Sequence, residues 1–546
     1  MKIKLILLLL FLLQFPMNRL TAQSLQNENS GMPLKQDKSV LFGKDIVIHD
    51  QPDRNQRNIA ICSAFNGWLY AVYSYPDGPL QNISVLKSTD NGINWVLLAE
   101  GGIMGAELTT RVDIIACGDS TNNIKLFVGY VYFDTSINVG GAYVEKYNPE
   151  PFIPEDELLG DDGGDIRDLV ISNDEMYPSN NSNPFSLGVL YSKRGYIGAK
   201  DTIIFRSSSN GGISLNNRQV VATTSKFFHK VALSFGRSPS FSGGRYFAAW
   251  EEQANRNSTL GHIYTSHSEP NFNSTFTSPK CLDSLDLTAI NRVRNPVIAC
   301  QYNNTDNDSS NISEIVMFEK YLPPYDAFDL KGFYNLQATT SDHFSELSIS
   351  TSTNNKIEPD ICFNPYNSQF MVTYFDSTQK KLPYLTNDVN LTNPNSWNII
   401  SQGYNDNDNL ISPYPKIKIN TGQQDGMNVW NSEGTNGKGI AMFDAVLSNY
   451  TGISENNQTE GIKLYGSYPN PCSAFLNIGF ELQKAEKITI DLYNIIGNPE
   501  KTITNHWYNG GNNIVTTDVS NLSSGTYIYT LEGGDFFISG KFTVLR

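Results

Sequence analysis

Seven times between residues 50 and 448 the chain repeats one pattern: a short apolar strand, a polar turn often carrying Gly, Asn or Pro, and a second strand closing on an aromatic residue. The closing aromatics are Tyr73, Tyr130, Tyr191, Trp250, Phe318, Tyr374 and Trp430, separated by 57, 61, 59, 68, 56 and 56 residues. The clearest copies run from Ile59 to Tyr73, Val231 to Trp250, Pro359 to Tyr374 and Pro415 to Trp430, and their alternation and β-branched or aromatic content mark strands. A unit of about 60 residues holding about four short strands predicts a propeller blade, because each sheet must stack its apolar face on the next and a closed ring removes most exposed edges. Seven copies therefore predict an all-β, seven-bladed propeller over residues 39–448. The last copy has room for three strands only, Pro415 to Asn420, Met427 to Trp430 and Gly439 to Asp444. The unassigned strand Ser39 to His49 is expected to complete the seventh blade, pairing first strand with last.

What precedes the repeat has the build of an export signal: Lys2 and Lys4, the apolar run Leu5 to Leu13, then Thr21-Ala22 before Gln23. Gln14, Pro16, Asn18 and Arg19 leave that run too short to span a bilayer. Residues 1–22 are read as a cleaved signal and 23–38 as a leader. Cleavage removes Lys2, Lys4 and Arg19 and takes the formal charge from -15 to -18. So acidic a chain is a poor partner for nucleic acid, which is held by strongly basic faces. No later segment reads as membrane-spanning. The six cysteines include no CxxC pair, which leaves no zinc site of the usual spacing and no thioredoxin motif. Cys62, Cys117, Cys300 and Cys362 close similar apolar runs and are expected to be buried thiols.

Within the first copy, Ser88-Thr-Asp-Asn-Gly-Ile-Asn-Trp95 reads Ser-x-Asp-x-Gly-x-x-Trp, which resembles the Asp-box of the sialidase-like (BNR-repeat) propellers. A degenerate copy, Ser208 to Leu215, falls at the same phase of the third repeat, and Thr386 to Asp388 with Trp397 is a weaker trace. The physics of the motif is local: a short acceptor side chain bonds turn amides, Gly permits φ > 0, and the Trp covers the hairpin. Ser88, Asp90, Gly92 and Trp95 are therefore expected to be structural.

Residues 449–463 are polar and aperiodic, a linker in composition, and residues 464–546 return to a β pattern suited to a small Ig-like sandwich. Tyr468-Pro-Asn-Pro471, Ile490 to Gly497, Asp518 to Tyr527 and Lys541-Phe-Thr-Val occur there in order, a series that resembles the C-terminal sorting domain of type IX secretion cargo. Its landmarks in this chain are Pro469, Asn470, Pro471, Gly497, Gly525, Tyr527 and Lys541; Cys472 stands where a small or polar residue is expected. The resemblance implies the secretion machinery as partner, passage through the inner and outer membranes of a Gram-negative bacterium, and removal of this domain at the cell surface.

Basic residues recur near the start of the first strand of successive repeats: Arg57, Arg111, Arg167, Lys230 and Arg294. In a propeller those strands line the central channel, so these side chains are candidates to meet at one mouth and bind an extracellular glycan or protein. The resemblance implies an alternative, a sialidase-like glycoside hydrolase or lyase acting on an acidic sugar. Arginine forks suit such a carboxylate, and Asp113, Asp168, Glu251 and Glu252 are the candidate acids. Against catalysis, no Phe-Arg-Ile-Pro-like segment precedes the first repeat, no Tyr and Glu are paired by the sequence as nucleophile and base, and HExxH, GxSxG and P-loop signatures are absent. A noncatalytic binding module with no cofactor is the preferred reading. Glu155, Glu157, Asp161, Asp162 and Asp165, the pair Asp306 and Asp308, or the pair Asp406 and Asp408 offer oxygen ligands for Ca²⁺, none with EF-hand spacing.

Overall fold

A computed structural model describes residues 42–545, apart from residues 174–185, 284–291, 302–311, 389–396 and 447–457 and a number of shorter stretches. The export signal and leader, part of the strand expected over Ser39 to His49, and Pro469, Pro471 and Gly497 lie outside the described residues. The chain divides into two compact units, Met1–Ser448 and Asn449–Arg546.

The first unit is built from seven four-stranded antiparallel sheets. Their innermost strands, defining blades 1 to 7, are Arg57–Ser63, Leu108–Cys117, Asp165–Asn173, Phe227–Ser238, Val293–Cys300, Lys356–Asn364 and Lys416–Asn420. Each touches the innermost strand of the next blade, and blade 7 touches blade 1, so the sheets close into a ring. The repeating aromatic falls in the second strand of every blade and is buried in all seven, Tyr73, Tyr191, Phe318 and Trp430 completely. The strands run on beyond it, as in Leu69–Asp77 and Asp425–Glu433, so the aromatic marks the middle of the strand and not its end.

The core is divided among the joints. Seven apolar clusters each combine residues of two consecutive blades, for example Val72 and Val85 with Ile114 and Val128 between blades 1 and 2, and Val429 and Phe443 with Ile59 and Tyr73 between blades 7 and 1. A single sheet has two faces to cover, and the ring gives each face a neighbour. Blade 7 takes its outermost strand from the chain start: Ile46 pairs with Phe443 and Val47 with Met442, Ile48 N–H donates to Ala441 O at 3.0 Å, and Phe42 bridges to Val446. The expected closure of first strand on last is therefore present.

The Asp-box turn is as local as its chemistry demands. Ser88 Oγ accepts the Gly92 amide at 2.9 Å, Asp90 Oδ1 accepts the Asn94 amide at 2.9 Å, and Trp95 Nε1 donates to Gly92 O at 2.9 Å. Against the desolvation of Asp90, the Asn94 amide and side chain and the Ser88 hydroxyl prevail and hold its carboxyl below the usual range. Trp95 reaches beyond its own hairpin and meets Phe443 of blade 7 edge-on, with ring centroids 5.6 Å apart. The second copy repeats the turn through Ser208, Asn210 and Gly212, and Gly212 lies against Phe127 of blade 2 as Gly92 lies against Phe443.

The second unit is two four-stranded sheets around one apolar cluster that includes Leu476, Phe480, Ile490, Tyr529 and Phe542. Pairing begins inside the stretch read as linker, where Gln458–Thr459 meets Ile462 and Lys463. Cys472 is buried in this core, and its backbone bonds Thr543 O and Leu545 N at 2.9 Å, so a small apolar side chain suits the position. Asn470 Oδ1 accepts the Thr543 amide at 2.9 Å, Tyr527 stacks on Phe542 and donates to Ser523 O at 3.1 Å, Gly525 opens the strand that carries Tyr527, and Lys541 is exposed. The six cysteines are thiols, four of them buried, while Cys281 and Cys362 are half-buried.

Candidate functional site

In six of the seven blades the innermost strand slips register near its start, between Arg57 and Ala60, Thr109 and Arg111, Ile166 and Asp168, Phe228 and Val231, Arg294 and Val297, and Ile357 and Asp360. A bulge frees one residue from the ladder and re-aims its side chain. Asn58, Asn295 and Glu358, together with Tyr414 just before blade 7, occupy the left-handed region at φ 50°, 53°, 55° and 45°. All four line a cavity of about 740 Å³ at one mouth of the ring. Backbone strain gathered at one opening is typical of sites kept for binding.

The mouth collects four of the five predicted basic residues, Arg57, Arg111, Lys230 and Arg294, and adds Lys416. Arg167 is not among the lining residues: the slip of register in blade 3 leaves it bonded to Asp165 at 2.5 Å and Asn138 O at 3.1 Å, with its guanidinium over Phe133. Arg111 is committed to Asp168 at 2.8 Å and Val231 O at 3.0 Å; its desolvation is outweighed by Asp168 and Asp113, which raise its pKa further. Arg294 bonds the fully buried Glu319 at 2.6 Å and lies over Phe328, yet its side chain is 37% exposed. Lys230 and Lys416 stand 3.8 Å and 3.6 Å from Asp168 and Asp360. Arg57 is exposed and makes no ion pair among the described residues.

The candidate carboxylates serve the ring itself. Asp113 accepts the Ile171 amide of the next blade at 3.2 Å, Asp168 that of Val231 at 2.9 Å, Glu251 that of Asn295 at 3.1 Å, Glu319 that of Glu358 at 2.8 Å and Asp360 that of Ile417 at 2.9 Å. At the remaining joints Asn58 Nδ2 donates to Thr109 O at 2.7 Å and Asn431 Nδ2 to Gln56 O at 3.3 Å. At five joints a carboxylate of one blade thus accepts a backbone amide from the innermost strand of the next, and at the other two an asparagine side chain donates to a backbone carbonyl at that strand's start. Glu252 is paired instead with Lys226 at 2.9 Å, and none of Asp113, Asp168, Glu251 and Glu252 lines the cavity. The acidic residues of the lining are Glu358 and Glu433. Desolvation pushes the Glu358 carboxyl up to about 7, although its oxygen accepts the Tyr414 amide at 2.8 Å. Tyr414 is half exposed, and burial of its phenol and the nearby Glu358 raise its pKa.

Glu358 and Tyr414 escaped the sequence reading, and so did Lys416. A signal was present: Asn295, Glu358 and Tyr414 each stand directly before a proline, Pro296, Pro359 and Pro415. Proline has no N–H to lose at a break in the ladder, which suits a bulge. Of the proposed Ca²⁺ ligands, Glu155 is held by Lys125 and by Lys146 at 3.2 Å, and Asp165 by Arg167 and Arg194. Asp161, Asp162, Asp306, Asp308, Asp406 and Asp408 lie outside the described residues.

Residues 467–545 match the family profile described as the secretion system C-terminal sorting domain. No curated protein matches the chain in sequence. Among solved structures, the α-L-arabinofuranosidase Arb93A from Fusarium graminearum, with an iminosugar inhibitor, is similar over 75% of this chain and 99% of its own, at 9% identity and a TM-score of 0.42. A protein of unknown function from Dyadobacter fermentans is similar over 74% and 98%, at 11% identity and a TM-score of 0.37. A Hadza microbial sialidase is similar over 72% and 66%, at 10% identity and a TM-score of 0.36.

Proposed function

We propose that the chain is a type IX secretion cargo, a β-propeller followed by its sorting domain, exported to the cell surface or beyond it. Among the described residues no helix is long and apolar enough to cross a membrane. We propose that the propeller is a noncatalytic binding module whose mouth takes an acidic group of an extracellular glycan or protein. The observation that carries this reading is Arg57: exposed, without a carboxylate partner among the described residues, and sharing one cavity with Lys230, Arg294 and Lys416. A chain of net negative charge keeps basic groups together at this opening, while the carboxylates around them are occupied by amides of the next blade.

The test is binding of the full chain to arrays of carboxylated, sulfated and neutral glycans and to acidic peptides. Acidic ligands are expected to bind, and Arg57→Ala to weaken them about tenfold or more, as loss of a hydrogen bond to a charged group costs about 1.5–3 kcal/mol. Equal binding of neutral ligands, or an Arg57→Ala variant that binds unchanged, would overturn the reading.

A second reading, hydrolysis or elimination on an acidic sugar, draws support from Glu358, whose carboxyl near 7 is matched to proton transfer and stands in the same mouth as Tyr414. The raised pKa of Tyr414 keeps the phenol protonated, which speaks against it as a nucleophile. Product release from an array ligand, lost in Glu358→Gln, would favour this enzyme over the binding module. We further propose that the sorting domain is removed on the way out; the intact mass of the surface or released protein distinguishes removal from retention.

A further inference from the structure

A second cluster of chemically active side chains lies on blade 4, apart from the residues that line the mouth. The third strand of that blade, Gly261–His267, carries His262, and the outermost strand is the two-residue piece Lys280–Cys281, followed by Leu282 and Asp283. Pairing of Tyr264 with Cys281 and of Thr265 with Lys280, extended by the Leu282 amide to Ile263 O at 2.9 Å, brings the three side chains together. One ligand atom from each of His262, Cys281 and Asp283 lies within 4.8 Å of the other two.

The contacts within the cluster leave work for a cation. Asp283 is buried, and its Oδ1 accepts the Ile263 amide at 3.0 Å and the Cys281 thiol at 3.5 Å. Its Oδ2 lies 3.3 Å from His262 Nδ1, a buried ring nitrogen that makes no hydrogen bond there. Two electron-pair donors therefore meet at short range beside a thiol.

We propose that His262, Cys281 and Asp283 form a binding site for a divalent transition-metal ion of the zinc class. Imidazole, thiolate and carboxylate together suit Zn²⁺ over Ca²⁺ or Mg²⁺, which take oxygen ligands, and three protein ligands leave a tetrahedral ion one position for water. Burial and the adjacent Asp283 push the Cys281 thiol up to about 12, so it carries its proton at neutral pH and the ion must displace that proton on binding. The ion would clip the short outermost strand of blade 4 to its neighbour, replacing hydrogen-bonded pairs that the two-residue strand is too short to make.

The test is metal binding by the full chain, read with Co²⁺ as a spectroscopic stand-in and with Zn²⁺ in competition against a chromogenic chelator. One equivalent of Co²⁺ is expected to give a thiolate-to-metal charge-transfer band that Zn²⁺ abolishes. Cys281→Ser should lose the band, and His262→Ala should weaken Zn²⁺ at least as much as loss of an outer-shell partner does, about 10- to 100-fold. Alkylation followed by peptide mass analysis reads the same site without a variant: Zn²⁺ should protect Cys281 while leaving Cys362 as reactive as before. Absence of the band, its persistence in Cys281→Ser, or alkylation of Cys281 at an unchanged rate in excess Zn²⁺ would each overturn the proposal.

Discussion

Gly92 shows how little freedom single residues have in this ring. Its φ is +90°, and a Cβ there would fall 2.1 Å from the Phe443 ring of the neighbouring blade. Gly92→Ala therefore meets two penalties, the left-handed backbone and an overfilled joint, and should lower unfolding stability by about 2–4 kcal/mol. Denaturant titration checks this, with Gly78→Ala as the control: that glycine also has positive φ, but nothing lies within 4 Å of an added Cβ. Equal losses at the two sites would show that Phe443 is not the obstacle. Glu358 and Tyr414 make the complementary case, bulky residues held at positive φ among those that line the mouth.

At the scale of the element, the innermost strand is a composite of two blades, since at each joint a side chain of one blade bonds the backbone of the next, as an acceptor at five joints and as a donor at two. Asp168 is the clearest instance, 1% exposed, bonding the Val231 amide and the Arg111 guanidinium together. Asp168→Asn keeps an acceptor for the amide but leaves the Arg111 charge without its partner. A loss of about 3 kcal/mol is expected, the low end for a broken buried pair because Arg111 retains some water. A thermal shift matching that of a surface substitution would refute it. The same construction explains what the sequence made legible. Tyr73, Tyr191 and Trp430 announce their blades because a large ring at a fixed phase is a property of one strand. The basic series announced the mouth for the same reason. Arg167 misled because a one-residue slip decides which side chain turns inward, and that slip has no marker in blade 3. The roles of Asp113, Asp168 and Glu251 were hidden because their partners lie in the next repeat, about 44 to 63 residues away.

The whole molecule carries an unusual acid response. Burial pushes Glu251 and Glu314 up to about 7, with the Asn295 amide and Gln253 on the first and the Thr265 hydroxyl on the second lowering them only in part. In the unfolded chain these carboxyls titrate near 4.3. Between about pH 4.3 and 7 these two carboxyls therefore hold protons in the folded state that they have lost in the unfolded one, and their contribution to stability falls as pH rises through that window, against an opposite contribution from His49, His229 and His267, whose burial lowers their pKa. Going from pH 5.5 to pH 7.5, the thermal midpoint of Glu314→Gln should fall less, or rise more, than that of the unaltered chain. A pH dependence of the midpoint that Glu314→Gln leaves unchanged would contradict the assignment.

The pairing of Ile46 and Val47 with Met442 and Phe443 also gives the molecule a way of registering its own length. Synthesis delivers the opening strand first and its partner only after six blades have been made. A chain broken off anywhere before Gly439 leaves that strand with no edge to join and blades 1 and 6 without a shared neighbour. Such a fragment exposes apolar faces that the finished ring conceals, and quality control can recognise it on that ground alone. The seam therefore marks completion as well as closure.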